Sequence, residues 1–306
     1  MKQVKHVLNI KYVQLDTDLI PYFRKYDIFD QLNCLDKTGS FALGAFVKGD
    51  DGKDHPVALL VTEHDREERA LVIRWLYVES DHRGLGIGSR LLYLLFTEAA
   101  ERKNTRVIAR ISDEYLEAAP EWDPERFFME CLFEDEDAMM NEFVFRIGEL
   151  TGSAAYKNII RGTASLQPIS ELSGEEKNRV YEKTEKQVRD LANEEISFVL
   201  TEKGAYRAAL FVRQYRDVYY PFCLIGESKP DMEKLVRSAM IFLMEAEPTD
   251  MLRVECTSIA GEEIMEKLEL PGKNYLVSYR EASVADYLKL VEEDKKRDGG
   301  VIMTNI

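Results

Sequence analysis

The sequence predicts two tandem α/β (α+β) domains, each a mixed, mostly antiparallel central sheet flanked by helices. Three observations lead to this prediction. The apolar run 70–78 is followed by a glycine-rich loop and then by apolar residues at helical spacing. Short strand-like runs separated by turn residues precede it, which is typical of an antiparallel meander. The same order of elements recurs in the second half of the 306-residue chain.

The first half begins with a loosely alternating segment that predicts a strand and continues with an apolar segment that predicts one or two helices. Three strand-like runs, the glycine loop and a long helix follow. An irregular acidic stretch at 113–125 separates the later elements. The predicted elements are strands at 6–15, 41–47, 56–62, 71–78, 105–111 and 141–147, and helices at 19–32, 89–102 and 126–132.

The second half repeats this order from about residue 163. Val78 and Val107 are 29 positions apart, and so are Ile225 and Val254. We therefore predict a first domain at 1–152, a second at 160–282, and a C-terminal amphipathic helix and tail at 283–306.

The loop Arg83-Gly84-Leu85-Gly86-Ile87-Gly88 lies between the predicted strand and helix. Alternating glycines remove side chains from one side of a loop, so backbone N–H groups at a helix N-terminus can surround an anion. A Walker loop would require a Gly-Lys-Ser/Thr ending, and Gly88 is followed by Ser89-Arg90. The spacing of a Rossmann fingerprint is absent as well.

The pattern Arg83-x-x-Gly86-x-Gly88 resembles the Arg/Gln-x-x-Gly-x-Gly/Ala signature of the GNAT superfamily of acyl-CoA N-acyltransferases. The resemblance covers about residues 1–150 and implies acetyl-CoA as co-substrate, with its pantetheine arm between the fourth and fifth strands. Arg83 is expected either to hold the loop or to contact phosphate. The implied cofactor-binding residues are Leu76, Tyr77, Val78, Arg83, Gly84, Leu85, Gly86, Ile87, Gly88, Ser89 and Arg90.

The second half lacks this loop sequence. In an ungapped register Arg83, Gly84, Gly86 and Gly88 fall opposite Pro230, Asp231, Glu233 and Leu235. Two carboxylates would then occupy the position of a pyrophosphate and repel it. We predict a degenerate GNAT-like domain that serves structure or acceptor binding.

Acyl transfer to an amine requires a group that removes a proton, because an amine with a pKa of about 10.4 is protonated at pH 7. Glu79, directly after the strand, is the first candidate base, and Asp81 is the second. The family's usual acid is the tyrosine of a Tyr-x-x-x-Gly-Phe pattern, where this chain has Phe128 and Leu132. Tyr77 is a substitute acid, or else it packs in the core.

The sequence therefore predicts a transferase that moves an acetyl group from acetyl-CoA to an amine of a small molecule or peptide. The alternative is a non-catalytic acyl-CoA-binding or sensing protein. A net charge of −15 disfavours nucleic-acid and anionic membrane partners. Four widely separated cysteines, no metal-ligand spacing and no run of 18 apolar residues predict a cytoplasmic protein without a metal. The oligomeric state is left open.

Overall fold

A computed structural model of the chain describes residues 9–27, 31–35, 40–65, 68–118, 120, 122–160, 164–184, 186–202, 204–215, 217–256 and 258–297. The start of the predicted first domain, residues 1–8, and the end of the predicted tail, residues 298–306, lie outside the described residues.

The chain divides into two compact units. The N-terminal unit contains residues 1–111, 115–138 and 278–306, and the C-terminal unit contains residues 112–114 and 139–277. The predicted domain limits follow the repeat and stay a prediction, whereas compactness divides the chain differently. Residues 139–152 fall in the C-terminal unit because a strand in this region pairs with a strand of the second half.

The N-terminal unit is built on five strands in the spatial order β1-β2-β3-β4-β5, and the end of β12 follows β5. All neighbours from β1 to β4 are antiparallel, and β4 and β5 are parallel. This arrangement confirms the predicted mixed, mostly antiparallel sheet. The strands are β1 (Ile10–Gln14), β2 (Phe41–Lys48), β3 (Asp54–Asp65), β4 (Ala70–Val78), β5 (Arg106–Ser112) and β12 (Lys273–Ser283).

Helices cover both faces of this sheet. On one face α2 buries Leu91, Leu92, Leu95 and Phe96, and Tyr287 of α11 stacks on Phe96 with ring centroids 3.8 Å apart. The other face carries a second core cluster that includes Phe23, Trp75 and Tyr115. The helices that contribute are α1 (Ile20–Phe23), α2 (Ile87–Glu101), α3 (Asp113–Ala118), α4 (Pro124–Glu130) and α11 (Val284–Arg297).

Residues 113–118 form a helix although the sequence predicts an irregular stretch. Acidic residues make up half of this segment, and Tyr115 is its one aromatic residue, so the sequence shows no apolar helical pattern. The Tyr115 ring packs edge-on against Trp75 at 4.8 Å, and this tertiary contact holds the segment against the sheet.

The C-terminal unit has the strand order β6-β11-β10-β9-β8-β7, and only β10 and β11 are parallel to each other. Its strands are β6 (Glu134–Arg146), β7 (Gln167–Pro168), β8 (Phe198–Glu202), β9 (Ala205–Tyr215), β10 (Val218–Gly226) and β11 (Met251–Cys256). Its helices are α5 (Ile147–Thr151), α6 (Ala154–Ile159), α7 (Gly174–Tyr181), α8 (Lys186–Leu191), α9 (Lys229–Leu243) and α10 (Ile259–Leu268). The sequence from Gly174 to Ala192 predicts one helix, whereas the structure has two in this region, α7 and α8.

Candidate functional site

Strands β4 and β5 separate partway along the sheet of the N-terminal unit. Their parallel pairing runs from Ala70 opposite Arg106 to Ile73 opposite Ala109. Arg74 follows as a bulge, because Val61 of β3 faces Trp75 while Thr62 faces Ile73. A bulge bends its strand and interrupts the ladder. The residues of β4 after the bulge continue to pair with β3.

Two hydrogen bonds hold the bent part of β4. The Tyr115 hydroxyl donates to the carbonyl oxygen of Arg74, the bulged residue. The indole Nε1–H of Trp75 donates to the carbonyl oxygen of Tyr26 at 2.6 Å. Both donors are buried side chains, so the bend is fixed by the core on this face of the sheet.

A cavity of about 600 Å³ opens where the strands separate. Its walls are the end of β4, the glycine loop with the first turn of α2, and one face of α4. The cavity is lined by Leu76, Tyr77, Val78, His82, Arg83, Gly84, Gly86, Ile87, Gly88, Ser89, Trp122, Asp123, Arg126, Phe127 and Glu130. Most of the predicted cofactor-binding residues are therefore brought together around one space.

The glycine loop leaves the start of α2 without a side-chain cap. Gly84 and Gly86 have φ angles of +72° and +76°, in the left-handed region that favours glycine. Gly86 is the N-cap residue, and no side chain there accepts a hydrogen bond from the helix. The first turn of a helix has N–H groups with no intrahelical acceptor, and such a terminus attracts anions. Here it forms a wall of the cavity.

The third glycine is required for a different reason. A Cβ atom at Gly88 would lie 3.1 Å from Cζ of Phe127 on α4, closer than ordinary van der Waals contact. Gly88 therefore allows α4 to approach α2, and its φ angle is not in the left-handed region.

Arg83 is held by the strand that precedes it. Its Nε donates to the carbonyl oxygen of Val78 at 2.9 Å, and its guanidinium lies 5.7 Å from the centre of the Tyr77 ring. The sequence leaves two roles open for Arg83, holding the loop or contacting phosphate. These contacts support the first role.

Two predicted cofactor-binding residues do not line the cavity. The Leu85 side chain is 42% exposed at the outside of the loop. The Arg90 guanidinium lies 4.7 Å from the centre of the Tyr93 ring, one turn further along α2. Neither side chain points into the cavity, so fewer side chains line the cavity than the sequence motif predicts.

Glu79 lies beside the cavity lining and contacts three neighbouring side chains. Its Oε1 is 3.8 Å from Nζ of Lys25, and its Oε2 is 3.3 Å from Nδ1 of His82. Tyr26, whose hydroxyl donates to the Pro56 carbonyl oxygen at 2.5 Å, is the third neighbour. Burial, together with the Glu79 carboxylate, raises the pKa of Tyr26, so its hydroxyl stays neutral.

Tyr77 is at the boundary between the cavity and the aromatic core. Its ring stacks on Tyr26 at 5.2 Å and on Trp75 at 6.1 Å, while part of the residue lines the cavity. Both sequence interpretations of Tyr77, packing and a role at the site, are compatible with this position.

Helix α4 presents one face to the cavity, and the sequence analysis did not select its residues. Asp123, Arg126, Phe127 and Glu130 are spaced i, i+3, i+4 and i+7. The Asp123 side chain caps the helix by accepting a hydrogen bond from the Arg126 N–H at 2.9 Å. The helical spacing of these residues, together with the Asp-Pro pair at the start of the helix, was the sequence pattern from which this face of α4 could have been predicted. Trp122 and His82 carried no such signal.

The residue at the family's tyrosine position faces away from the cavity. Phe128 is 2% exposed and packs against Phe133 with ring centroids 5.0 Å apart. Leu132, at the position of the motif's glycine, has a φ angle of +68°. The backbone thus retains the conformation that glycine favours, although both characteristic side chains have changed.

The C-terminal unit lacks the loop altogether. Helix α9 begins at Lys229, three positions after β10 ends at Gly226, whereas α2 begins at Ile87, nine positions after β4 ends at Val78. The ungapped register that set Arg83 opposite Pro230 is therefore wrong. The same register sets Leu71 opposite Val218 and Val107 opposite Val254. Strand pairing contradicts it, since Leu71 pairs with Val107 but Val218 pairs with Met251.

The start of α9 is closed by its own side chains. The Ser228 hydroxyl accepts from the Asp231 N–H at 3.3 Å and donates to the Asp231 carboxylate at 2.7 Å. Strands β10 and β11 also separate, after Tyr219 and Leu252, but the cavity between them is only about 80 Å³. This capped, narrow counterpart fits the prediction of a degenerate second domain.

Two absences concern the described part of the chain. It contains no group of three or more His, Cys, Asp or Glu side chains that could hold a metal ion. Within the same residues no helix is long and apolar enough to cross a membrane.

The split sheet, glycine loop and facing helix define an α/β protein with a cleft whose wall includes an uncapped helix N-terminus. Residues 12–122 match the model of the Acetyltransferase (GNAT) family. The matched segment is about a third of the chain and lies largely in the N-terminal unit. This unit is therefore similar to a GNAT acetyltransferase domain, and the similarity supports acyl transfer in general terms. Among curated proteins none matches the chain.

Solved structures share the fold over about nine tenths of the chain. A tandem GNAT protein from the clavulanic acid biosynthesis pathway is 12% identical, with 90% of this chain and 98% of that chain covered and a TM-score of 0.62. The glucosamine N-acetyltransferase region of a fungal GH3 β-N-acetylglucosaminidase is 11% identical over 89% of this chain and 38% of that chain, with a TM-score of 0.64.

A third structure with the same fold is a putative acetyltransferase from Pyrococcus horikoshii. It is 13% identical, with 90% of this chain and 89% of that chain covered and a TM-score of 0.56. At these identities the likeness concerns the fold alone, and the chain has the tandem GNAT fold that its sequence predicts.

Proposed function

We propose that the protein is an N-acetyltransferase that moves an acetyl group from acetyl-CoA to an amine of a small molecule or peptide. The observation that carries the proposal is the uncapped N-terminus of α2, which forms a wall of the 600 Å³ cavity beside the split strands. Backbone N–H groups at such a terminus suit a pyrophosphate, and the mostly apolar walls suit a pantetheine arm.

The chain offers an internal comparison that supports a ligand as the reason for the loop. Both units have a helix that follows a split strand, yet only α2 has the left-handed Gly84 and Gly86 and no side-chain cap. Glycine loops cost backbone entropy, and the fold of the C-terminal unit forms without one. The loop is therefore better explained by binding than by folding.

In this proposal each group has a defined task. The N–H groups from Gly84 to Ser89 hold the pyrophosphate, and Leu76, Tyr77 and Val78 line the thioester arm. Glu79 and Tyr77 are the predicted catalytic residues. The co-substrate supplies an activated acyl carbon and a thiolate leaving group, whose pKa of about 8.5 lets it leave without a strong acid.

Thermal unfolding with and without acetyl-CoA tests the proposal. We expect saturating acetyl-CoA to raise the melting temperature of the wild type and to leave Gly84→Glu unchanged, because the new carboxylate would repel the pyrophosphate. Gly52→Glu is the matched control. Gly52 and Gly84 have φ angles of +74° and +72°, and a Cβ at either position meets no atom within 4 Å.

The control separates backbone strain from loss of the site. Both variants introduce the same side chain at a left-handed position, so both should lose similar stability without ligand. Only Gly52→Glu should keep the acetyl-CoA shift. If saturating acetyl-CoA does not raise the melting temperature of the wild type, the proposal is wrong.

A non-catalytic acyl-CoA-binding or sensing protein is the second candidate. It is favoured by Phe128, which supplies no hydroxyl and is buried away from the cavity. Release of free CoA thiol, measured across a panel of primary amines, distinguishes the two functions. A melting shift without thiol release above the uncatalysed rate would favour the binding protein.

A further inference from the structure

His82 and Glu79 form a carboxylate–imidazole pair at the edge of the cavity. Nδ1 of His82 is buried and lies 3.3 Å from Oε2 of Glu79, off the direction of a well-formed hydrogen bond. The 3₁₀ turn Ser80–His82 returns the chain towards Glu79, and the His82 N–H donates to the Glu79 carbonyl oxygen at 2.9 Å. Backbone geometry therefore fixes the spacing of the two side chains.

The two side chains differ in their access to the cavity. His82 lines it, and its side chain is 22% exposed although Nδ1 is covered. Glu79 is not among the lining residues, and its oxygens contact Lys25 and His82. A group that takes a proton from an amine must reach that amine, directly or through one water molecule. By this criterion His82 is better placed than Glu79.

Chemistry supports the same order. A histidine is a stronger base than a carboxylate near neutral pH, and proton transfer is most efficient for a group that titrates near the working pH. A carboxylate beside the other ring nitrogen fixes the orientation of the imidazole.

We propose that His82 is the catalytic base for the acceptor amine and that Glu79 is a positioning residue that acts through it. This inference rests on the proposed acetyltransferase function. Nε2 of His82 takes one proton from the ammonium group of the acceptor and later releases it to solvent. The amine nitrogen then bonds to the acyl carbon, the carbon–sulfur bond breaks, and a second amine proton ends on the leaving thiol.

Several charged or titratable groups surround His82 and will influence its pH dependence. Glu79, Asp81 and Arg83 flank it in the chain, and Lys25 and Tyr26 belong to the 3₁₀ turn that contacts Glu79. The groups of α4 that line the same cavity are Asp123, Arg126 and Glu130.

Chemical rescue tests the role of His82. We expect His82→Ala to lower the rate of acetyl transfer to a primary alkylamine by about 10²- to 10⁴-fold, the usual contribution of a positioned base. Added imidazole should restore part of the rate. His55→Ala is the matched control, because His55 is also paired with a carboxylate, at 2.9 Å from Asp51, but lies outside the cavity lining.

The rise in melting temperature on addition of acetyl-CoA allows failure of this inference to be distinguished from failure of the proposed function. His82→Ala should retain the acetyl-CoA shift of the wild type, since the phosphate loop is unchanged. If wild type shows neither shift nor turnover, the proposed function fails and this inference fails with it. If wild type turns over and His82→Ala keeps its rate within about twofold, or loses its rate without imidazole rescue, only the assignment of His82 is overturned.

Glu79→Gln tests positioning, with Asp51→Asn as its control. We expect a smaller loss of kcat than in His82→Ala, an unchanged acetyl-CoA shift, and an altered acidic limb of the pH–rate profile. The profile of Asp51→Asn should match that of the wild type. A Glu79→Gln profile that also matches the wild type would exclude the positioning role.

Discussion

The hydroxyl of Tyr115 donates a hydrogen bond to the carbonyl oxygen of Arg74, the residue that bulges out of β4. This bond joins α3 to the point at which β4 leaves β5, so a residue from a predicted irregular stretch supports the opening of the cleft. Both partners are buried, and the carbonyl would otherwise need another donor.

Tyr115→Phe should therefore destabilise the protein and weaken the cleft. Loss of one hydrogen bond in the protein interior costs about 0.5–1.5 kcal/mol. We expect a loss of this size in the free energy of unfolding by urea, together with a smaller melting shift on addition of acetyl-CoA. Tyr22→Phe, at a 61% exposed position, is the control and should change neither quantity. An unchanged stability of Tyr115→Phe would show that the hydroxyl does not support the bulge.

Gly88→Ala should be destabilising because of Phe127. The added Cβ would lie 3.1 Å from the ring, and overpacking typically costs about 1–3 kcal/mol. In a Phe127→Leu background this cost should fall, so a double-mutant cycle measured by urea unfolding should give a coupling of about 0.5 kcal/mol or more. Additive effects of the two substitutions would contradict the close approach of α4 to α2.

Leu132→Gly should stabilise the protein. A left-handed conformation costs a residue other than glycine roughly 1–2 kcal/mol, and Leu132 is 45% exposed, so only part of its packing is lost on substitution. We expect a gain of about 0.5–1 kcal/mol after the entropy cost of glycine. Leu116→Gly, at a similarly exposed leucine within helix α3, is the control and should be destabilising. A loss of stability in Leu132→Gly would contradict the backbone conformation at this position.

Phe128→Tyr should not restore the family's acid. The ring is buried in the core rather than at the cavity, so a hydroxyl there would be desolvated at a cost of about 1–3 kcal/mol. We expect a lower melting temperature and an acetyl-transfer rate no higher than that of the wild type. A rate increase above twofold would mean that the ring reaches the cavity.

Two buried thiols predict loss of stability in alkali. Burial raises the pKa of Cys131 and of Cys256 to about 12, above the ordinary value of 9.0 for a thiol. The thiol form is favoured by folding, so this contribution is complete below pH 9 and is lost as the pH rises from 9 to 12. Urea unfolding at pH 8 and at pH 11 should show the decline, and it should be smaller in a Cys131→Ala/Cys256→Ala variant. An identical decline in that variant would exclude the thiols as its source.

The sequence predicted the parts of the site that depend on local order along the chain. The strand at 70–78, the glycine loop and the helix after it are contiguous, and their pattern was sufficient to predict the uncapped N-terminus of α2. The local sequence pattern did not predict the opposite wall of the cavity, which α4 forms. Arg126, Phe127 and Glu130 reach the cavity because α4 packs across Gly88, a contact between segments about forty residues apart.

The same distinction explains the errors in the prediction. An ungapped comparison of the two halves cannot detect that the loop before α9 is shorter, because a compensating longer connection after α9 keeps the overall spacing similar. The observed helix starts and the strand pairing both revealed the shift, since register is set by hydrogen bonds between strands.

By itself the sequence determined the fold class and the repeat, because these follow from hydrophobic periodicity, and backbone freedom made the glycine loop its predicted ligand site. The tertiary structure decided which side chains line the cavity beside that loop. It turned Phe128 and Leu85 away, brought in the face of α4, and set His82 between Glu79 and the cavity. Side-chain direction depends on packing partners that are distant in the chain, and no local pattern encodes it.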